Sequence, residues 1–431
     1  MNTITILKNK MSQDSDKYHQ LKGLLSKIKK YIISIYILVI SNTSIFAQGI
    51  NFHNTTFQQA SEAAKKANKI LFVEVYLNGC PHCAALAPIL QEKRVGDFYN
   101  TNFVSIKIEA NSEDSKFLQQ QKGLAYVEFP MFFFFDQITG TTIHQASPAE
   151  QKNKNIAIEE VIKHGTEALN PNLRTISYPN RFAKGERDFL FLVNYAKFAK
   201  ATKNSEMLHQ LNIEIAKIVT KPVDLEGETG FYLIQRLIDD YENPIAKYFF
   251  RNLEKYKSKY SSKDVKDAGE NIIYTTLYGS NKEIPVQEIK NIRQSLIKLG
   301  VPAQLADART VLKEIEAYFK SKNTLKATER LNEYRKTQKL TIQDYAYLIK
   351  YFNEKATDNS YTKSQLIWVE EALKLAPKKD KKEVADVYLE QGKTFLRLNK
   401  KDYAKKSFNN AVKIAQMLKI DTKPYSDALK L

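Results

Sequence analysis

The chain has very little cysteine, with two residues, Cys80 and Cys83, among 431. A small exported domain stapled by disulfides needs several cysteine pairs, so that class of architecture is excluded. Both cysteines belong to one Cys-x-x-Cys motif, and the chain has no further cysteine to complete a structural zinc site. The two sulfur atoms are therefore expected to perform chemistry rather than to hold the chain together.

Glycine and proline are also scarce, at 14 and 12 residues. Because these residues interrupt helices, their scarcity favours helical structure over turn-rich β structure. The length of 431 residues is too great for one ordinary hydrophobic core, and it predicts two or three domains.

Acidic residues are too few to balance the basic ones, and the formal net charge is +18. Residues 1–47 contribute +5 of this through seven lysines and two aspartates, which leaves +13 on the rest of the chain. The lysines are dispersed among acidic residues, as in 378–382, and no aromatic and basic recognition motif accompanies them. We interpret the charge as solvated helix faces, and no nucleic-acid partner is expected.

The apolar run at the N-terminus is too short to span a membrane. It covers about ten residues, 31–40, whereas a spanning helix needs ~20. Lysines at positions 22–30 precede it, and a polar tetrad and Ile45-Phe46-Ala47 follow it. This pattern is typical of a secretory signal peptide over residues 1–47, cleaved after Ala47. The protein is therefore predicted to be exported, either periplasmic or secreted, with no membrane anchor in the mature chain.

Residues 48–170 alternate between helical and strand patterns. An Ala-rich amphipathic helix precedes a β-branched and aromatic strand, which ends at Asn78-Gly79 just before the cysteines. The predicted helices are 57–68, 83 to about 97, 113–121 and 152–169, and the predicted strands are 70–76, 103–108, 131–135 and 141–145. This order predicts an α/β domain with a mixed central sheet flanked by helices.

The Cys-x-x-Cys motif stands at the start of a predicted helix. Unpaired backbone N–H groups and the helix dipole stabilise negative charge there, so Cys80 is expected to be the attacking thiolate. Cys83 lies three residues further on the same helix face and is expected to resolve the mixed disulfide by forming a Cys80–Cys83 disulfide. Zinc is the main competing use of the motif, but His53, His144 and His164 are isolated in sequence. Neither a metal nor a cofactor is therefore expected.

Three further features extend beyond the cysteines. Glu74 stands six residues before the first cysteine, Pro88 follows the motif by five residues, and Phe129-Pro130 precedes an apolar strand. With these features, residues 53–168 resemble a thioredoxin-fold domain of the exported disulfide oxidoreductases.

That resemblance implies roles for residues outside the motif. Pro130 is expected to be cis and to lie beside the sulfurs, where Phe129 and Pro130 contact an extended protein substrate. Glu74 is expected to be a buried carboxylate that relays a proton to or from Cys83.

The dipeptide between the cysteines, Pro81-His82, resembles that of the periplasmic disulfide oxidases. A partly protonated His82 beside the helix start is expected to stabilise the Cys80 thiolate and to make the disulfide a stronger oxidant. Residues 110–129 hold only one short helix, however, and have no room for the helical insertion of those oxidases. Oxidation, reduction and isomerisation all remain open as the direction of the reaction.

The rest of the chain has helical patterns without a convincing strand. It is divided into a linker at 171–187, an α-helical region at 188–338 and helix pairs at 339–431. The last region resembles tetratricopeptide repeats in the spacing of its small and aromatic residues: Gly392, Phe395, Ala404, Phe408 and Ala411. A weaker copy precedes it, with helices at 347–353 and 366–375.

The sequence thus predicts a thioredoxin-like domain followed by an all-α, tetratricopeptide-like region. The leading hypothesis is a thiol-disulfide oxidoreductase that acts on exported proteins and exchanges electrons with an unidentified redox partner. The helical region is expected to bind a peptide or protein. Two alternatives remain open: a non-enzymatic interaction scaffold that carries a docking thioredoxin fold, and an exported dithiol protein that delivers a metal or serves an apocytochrome.

Overall fold

The computed structural model describes residues 49–279, 283–379 and 381–430. The predicted signal peptide, residues 1–47, lies outside these ranges. The chain divides into two compact units between Glu186 and Arg187.

The first unit is built on a four-stranded mixed sheet. Its strands are β1 (Ile70–Tyr76), β2 (Phe103–Glu109), β3 (Met131–Phe135) and β4 (Thr142–Ala146), in the order β2-β1-β3-β4. β1 and β2 are parallel, whereas β3 is antiparallel to both of its neighbours. In this register Glu74 of the central strand β1 lies opposite Lys107 on one side and Phe132 on the other.

Helices flank this sheet, as the sequence predicts. They are α1 (Phe57–Ala67), α2 (Pro81–Leu90), α3 (Lys93–Asn102), α4 (Glu113–Gln121), α5 (Lys154–Leu169) and α6 (Tyr178–Ala183). Phe72 and Phe134 of the sheet pack with Tyr99 of α3 and Val161 of α5 in one buried cluster. The predicted α/β class, with a mixed central sheet and flanking helices, is confirmed.

The helix predicted from Cys83 to about Asp97 is two helices, α2 and α3. α2 already begins at Pro81, because a proline at the first helical position loses no hydrogen bond. The break follows Leu90, whose carbonyl accepts a hydrogen bond from the Ile50 N–H at 2.9 Å. The backbone of Gly49 also runs so close that a Cβ there would lie 2.3 Å from the Gln91 Cα. A distant segment thus occupies the space beside the break, which periodicity alone cannot show.

Residues 175–183 of the segment predicted as a linker, 171–187, have regular structure in the first unit. They form a short 3₁₀ turn at Thr175–Ser177 and then α6. The Thr175 hydroxyl accepts a hydrogen bond from the Gln145 N–H at 3.1 Å, and the Thr175 N–H donates to His144 Nδ1 at 3.2 Å. These contacts attach the segment to β4.

The second unit is all-α over its described residues, as predicted. Its helices are α7 (Phe189–Ala201), α8 (Ser205–Ile218), α9 (Pro222–Leu225), α10 (Glu228–Arg236), α11 (Pro244–Arg251), α12 (Leu253–Lys259), α13 (Ser262–Tyr278), α14 (Val286–Lys298), α15 (Ala303–Lys320), α16 (Thr324–Thr337), α17 (Ile342–Lys355), α18 (Thr362–Lys374), α19 (Lys382–Arg397), α20 (Lys401–Met417) and α21 (Lys423–Ser426). Within the described ranges, no helix of either unit combines the length and apolar character that a membrane crossing requires.

The C-terminal helix pair predicted from small and aromatic positions corresponds to α19 and α20, which pack against each other. Gly392 of α19 faces the ring of Phe408 of α20, and a Cβ at this glycine would lie 2.2 Å from a ring carbon. A small residue is therefore required where the two helices meet. The relation to tetratricopeptide repeats stays a prediction.

Candidate active site

Cys80 is the N-cap residue of α2 and immediately precedes Pro81. Its backbone has an extended conformation, and its Sγ accepts a hydrogen bond from the Cys83 N–H at 3.3 Å. The Cys80 N–H donates to the Leu77 carbonyl at 3.2 Å, which fixes the turn between β1 and α2. The sulfur thus lies at the helix start, where the first backbone N–H groups have no partner within the helix.

Cys83 lies one turn into α2 and is buried, with 8% of its surface exposed. Both cysteines are free thiols, and Cys80 is only partly buried. Burial, followed by the hydrogen-bond interaction with Cys80, raises the pKa of Cys83 to about 11. The two thiols are therefore unequal: one accessible sulfur at the helix start and one buried sulfur that holds its proton more tightly.

Phe129 and Pro130 lie beside the first sulfur. The Phe129–Pro130 peptide bond is cis, and the Cys80 thiol donates to the Phe129 carbonyl at 3.8 Å. Pro130 is buried immediately before β3, whereas Phe129 is partly exposed and its ring packs on Tyr126 at 5.8 Å. The structure thus brings together the motif and the dipeptide that lies 49 residues further along the chain.

Glu74 is a buried carboxylate in the middle of β1, with 1% of its surface exposed. Its Oε2 lies 3.0 Å from Lys107 Nζ of the adjacent strand. Burial raises the pKa of Glu74, and the charge and hydrogen bond of Lys107 only partly oppose this. The charge of Glu74 in turn contributes to the raised pKa of Cys83. The buried carboxyl and the buried thiol thus interact electrostatically.

Replacing Glu74 with glutamine should change how stability depends on pH. A raised pKa in the folded state means that the free energy of unfolding falls as pH rises from the ordinary glutamate range through the raised value. Glutamine has no such proton to lose, so the stability of Glu74→Gln relative to the wild type should increase across that window. Urea unfolding at several pH values, monitored by hydrogen exchange of the β1 amides, measures this difference in the free energy of unfolding. The exposed Glu113→Gln is the control, and an equal trend in both variants would contradict the role of burial.

His82 is exposed on the first turn of α2, next to Pro81 at the first helical position. Its Nδ1 lies 2.8 Å from Oε2 of Glu150, and both side chains are largely exposed, at 64% and 57%. Glu150 lies in the segment between β4 and α5, 68 residues from His82. Sequence reasoning missed Glu150, because nothing in the local pattern of that segment indicates a partner for the motif.

A second cluster of polar side chains, which are distant in sequence, lies between β4 and α5. Potential metal-ligand atoms of His144, His164 and Glu167 lie within 4.8 Å of one another. The Thr175 N–H donates to His144 Nδ1, so the neutral ring carries its proton on Nε2, the nitrogen that faces Glu167. Burial lowers the pKa of His144 to about 3, which keeps the ring neutral. A protonated Nε2 cannot bind a metal, and the group is consistent with polar packing.

Comparisons with known proteins add a structural likeness. No family model and no curated protein matches the chain. Among solved structures, the chain is similar to "The crystal structure of disulphide isomerase from Xylella fastidiosa Temecula1", with 14% sequence identity and a TM-score of 0.22. The similarity covers 26% of this chain and 95% of that chain.

Proposed function

We propose that the chain is a thiol-disulfide oxidoreductase that acts on exported proteins through Cys80 and Cys83. The observation that carries this proposal is the position of Cys80. Its sulfur lies at the start of α2, accepts a hydrogen bond from the Cys83 N–H and lies 3.8 Å from the carbonyl oxygen of Phe129, the residue before Pro130. Disulfide exchange requires an accessible nucleophile, a partner thiol and an adjacent surface that contacts the substrate.

The exchange has two steps, each of which forms one S–S bond and breaks another. In the reducing direction, the Cys80 thiolate attacks a substrate disulfide, a mixed disulfide forms, and one substrate sulfur leaves as a thiolate and takes up a proton. Cys83 then loses its proton and attacks the Cys80 sulfur, which releases the second substrate thiolate and closes the Cys80–Cys83 disulfide. Two electrons pass to the substrate, and the reverse sequence oxidises a substrate dithiol.

Glu74 and Lys107 serve the second step in this proposal. The Cys83 thiol holds its proton tightly, with a pKa of about 11, so the resolving attack needs a group that accepts this proton. Glu74 is a buried carboxyl that interacts electrostatically with Cys83, and Lys107 supplies a positive charge 3.0 Å away when Glu74 is ionised. An unidentified redox partner resets the cysteine pair after each cycle.

The helical unit is proposed to bind a protein or peptide partner. A groove of about 610 Å³ in this unit supports the proposal. Side chains of α17, α19 and the C-terminal segment line it, among them Tyr347, Lys350, Lys393 and Tyr425. Aromatic and charged side chains on one concave surface suit an extended polypeptide.

Equilibration in glutathione redox buffers, together with an exchange assay on a disulfide-bonded peptide, tests the proposed chemistry. The wild type should form a reversible Cys80–Cys83 disulfide and should accelerate exchange, whereas a variant with both cysteines replaced by serine should do neither. A wild-type rate equal to that of the double variant would remove the proposal. The same titration gives the reduction potential: about −270 mV indicates a reductant and about −120 mV an oxidant.

A further inference from the structure

Glu150 contacts the active-site motif from outside it. The segment that carries Glu150 is held by one residue of α5. Glu160 accepts hydrogen bonds from the Ala149 N–H at 3.0 Å and from Gln151 Nε2 at 2.9 Å. These two residues flank Glu150 directly. Glu160 therefore holds the two neighbours of Glu150, Ala149 through its backbone and Gln151 through its side chain.

Glu160 holds the segment that carries Glu150 as an ionised carboxylate. Burial alone raises its pKa, but the His164 imidazole at 3.7 Å and the hydrogen bonds from Ala149 and Gln151 outweigh burial and lower the pKa overall. The carboxylate thus stays ionised into the acidic range, and charged acceptors form stronger hydrogen bonds than neutral ones. The anchor of the segment is lost only when the pH falls through that lowered value.

We propose that Glu150 is a positioning residue that fixes the tautomer and orientation of His82, a role that rests on the proposed disulfide chemistry. An ionised carboxylate has only acceptor sites, so the 2.8 Å contact requires that Nδ1 of His82 carries a proton. Nε2 is then the nitrogen that carries no proton in the neutral ring. The hydrogen bond made by one ring nitrogen sets the role of the other.

The ionisable side chains of α5, which packs against α2, have ion-pair partners other than His82 and Glu150. Those pairs are Lys154 with Glu92, Arg94 with Glu159, Lys163 with Glu167, and His164 with Glu160 and Glu167. On the sheet side, Lys107 is paired with Glu74. Glu150 is thus the one carboxylate that the described ion pairs assign to His82.

The Arg94–Glu159 pair provides a matched control. Its N···O distance is also 2.8 Å, and its side chains are 62% and 60% exposed, close to those of His82 and Glu150. Glu159→Ala therefore removes an equally exposed carboxylate and ion pair from the same unit without touching His82. Any effect of Glu150→Ala that Glu159→Ala shares is a general effect of charge.

The first measurement is the ¹⁵N NMR spectrum of the His82 ring in the full chain, which distinguishes a proton on Nδ1 from one on Nε2. In the wild type and in Glu159→Ala, the neutral ring should carry its proton on Nδ1. In Glu150→Ala it should shift toward the Nε2 form, while Glu150→Gln, which keeps an acceptor oxygen, should retain part of the Nδ1 form. A wild-type ring protonated on Nε2, or a tautomer that Glu150→Ala leaves unchanged, would overturn the proposal.

The second measurement is the pH profile of Cys80 alkylation by iodoacetamide in the reduced protein. Glu150→Ala should change the rate near neutral pH by about two- to fivefold, the scale of an exposed ion pair, and should have no effect in a His82→Gln background. An equal effect in both backgrounds would mean that Glu150 acts on the sulfur directly, which contradicts the proposal. Neither measurement requires turnover, so a wild type inactive in exchange would remove the proposed function and leave this test intact.

Discussion

Replacing Cys83 with serine is expected to convert the protein into a covalent trap for its substrates. Cys80 keeps its place at the start of α2, so it can still attack a substrate disulfide and form the mixed disulfide. Serine has no sulfur with which to displace the captured chain, so the adduct should persist. Turnover should fall by on the order of 10³-fold or more, as when other covalent catalytic groups are lost.

The trap is measured by incubating Cys83→Ser with a disulfide-bonded peptide and analysing the product by non-reducing electrophoresis and mass spectrometry. The adduct should map to Cys80 and should disappear on addition of dithiothreitol. Cys80→Ser is the paired variant and should form no adduct, because the remaining thiol is buried and this burial raises its pKa. An adduct on Cys83 in Cys80→Ser, at the rate seen for Cys83→Ser, would reverse the assigned roles.

The part of this site that the sequence predicts is the part encoded by local patterns. A β-branched strand, a Cys-x-x-Cys motif and a helix follow one another directly, and each is recognised within about ten residues by period or propensity. Phe129-Pro130 is recognised by its position before the apolar strand β3. The class of the fold follows from the order of such elements, because few topologies accommodate them.

What the sequence does not predict depends on contacts between distant segments. The ion pair between His82 and Glu150 spans 68 residues and involves a segment without regular structure, so no period indicates it. The approach of His144 to His164 depends on how α5 lies across β4. The end of α2 at Leu90 reflects a hydrogen bond from Ile50, since proline at position 88 is already tolerated inside that helix. These features depend on packing between distant segments, and a local sequence pattern does not indicate such packing.

The second unit also depends on such a contact, an ion network buried between three helices. Glu314 of α15 has 1% of its side chain exposed, and its Oε2 lies 2.7 Å from Arg293 of α14 and 2.6 Å from Arg330 of α16. Arg330 is itself 8% exposed and also pairs with Asp307 of α15. Arg293 is 19% exposed and also pairs with Asp307 at 3.2 Å, so the two guanidinium groups share the carboxylates of Glu314 and Asp307.

Glu314→Ala is therefore expected to lower the free energy of unfolding of the helical unit by about 3–5 kcal/mol. Removing one partner of a buried ion pair leaves the remaining charges in a poorly solvated place, and this desolvation cost dominates the loss. The fluorescence of Trp368 during urea unfolding reports the change, because this tryptophan is the only one in the chain, is fully buried, and donates a hydrogen bond to Asn332 of α16 at 2.8 Å.

A surface pair on α16, the helix that carries Arg330, provides the comparison. Glu329 pairs with Lys326 on α16 at 2.8 Å, with side chains 48% and 55% exposed, so Glu329→Ala should change stability by no more than about 0.5 kcal/mol. The large difference between the two variants follows from burial, since each removes one carboxylate from an ion pair. If Glu314→Ala cost no more than Glu329→Ala, water would have to reach Arg293 and Arg330, and α14, α15 and α16 could not pack as closely as the 2.6 and 2.7 Å contacts require.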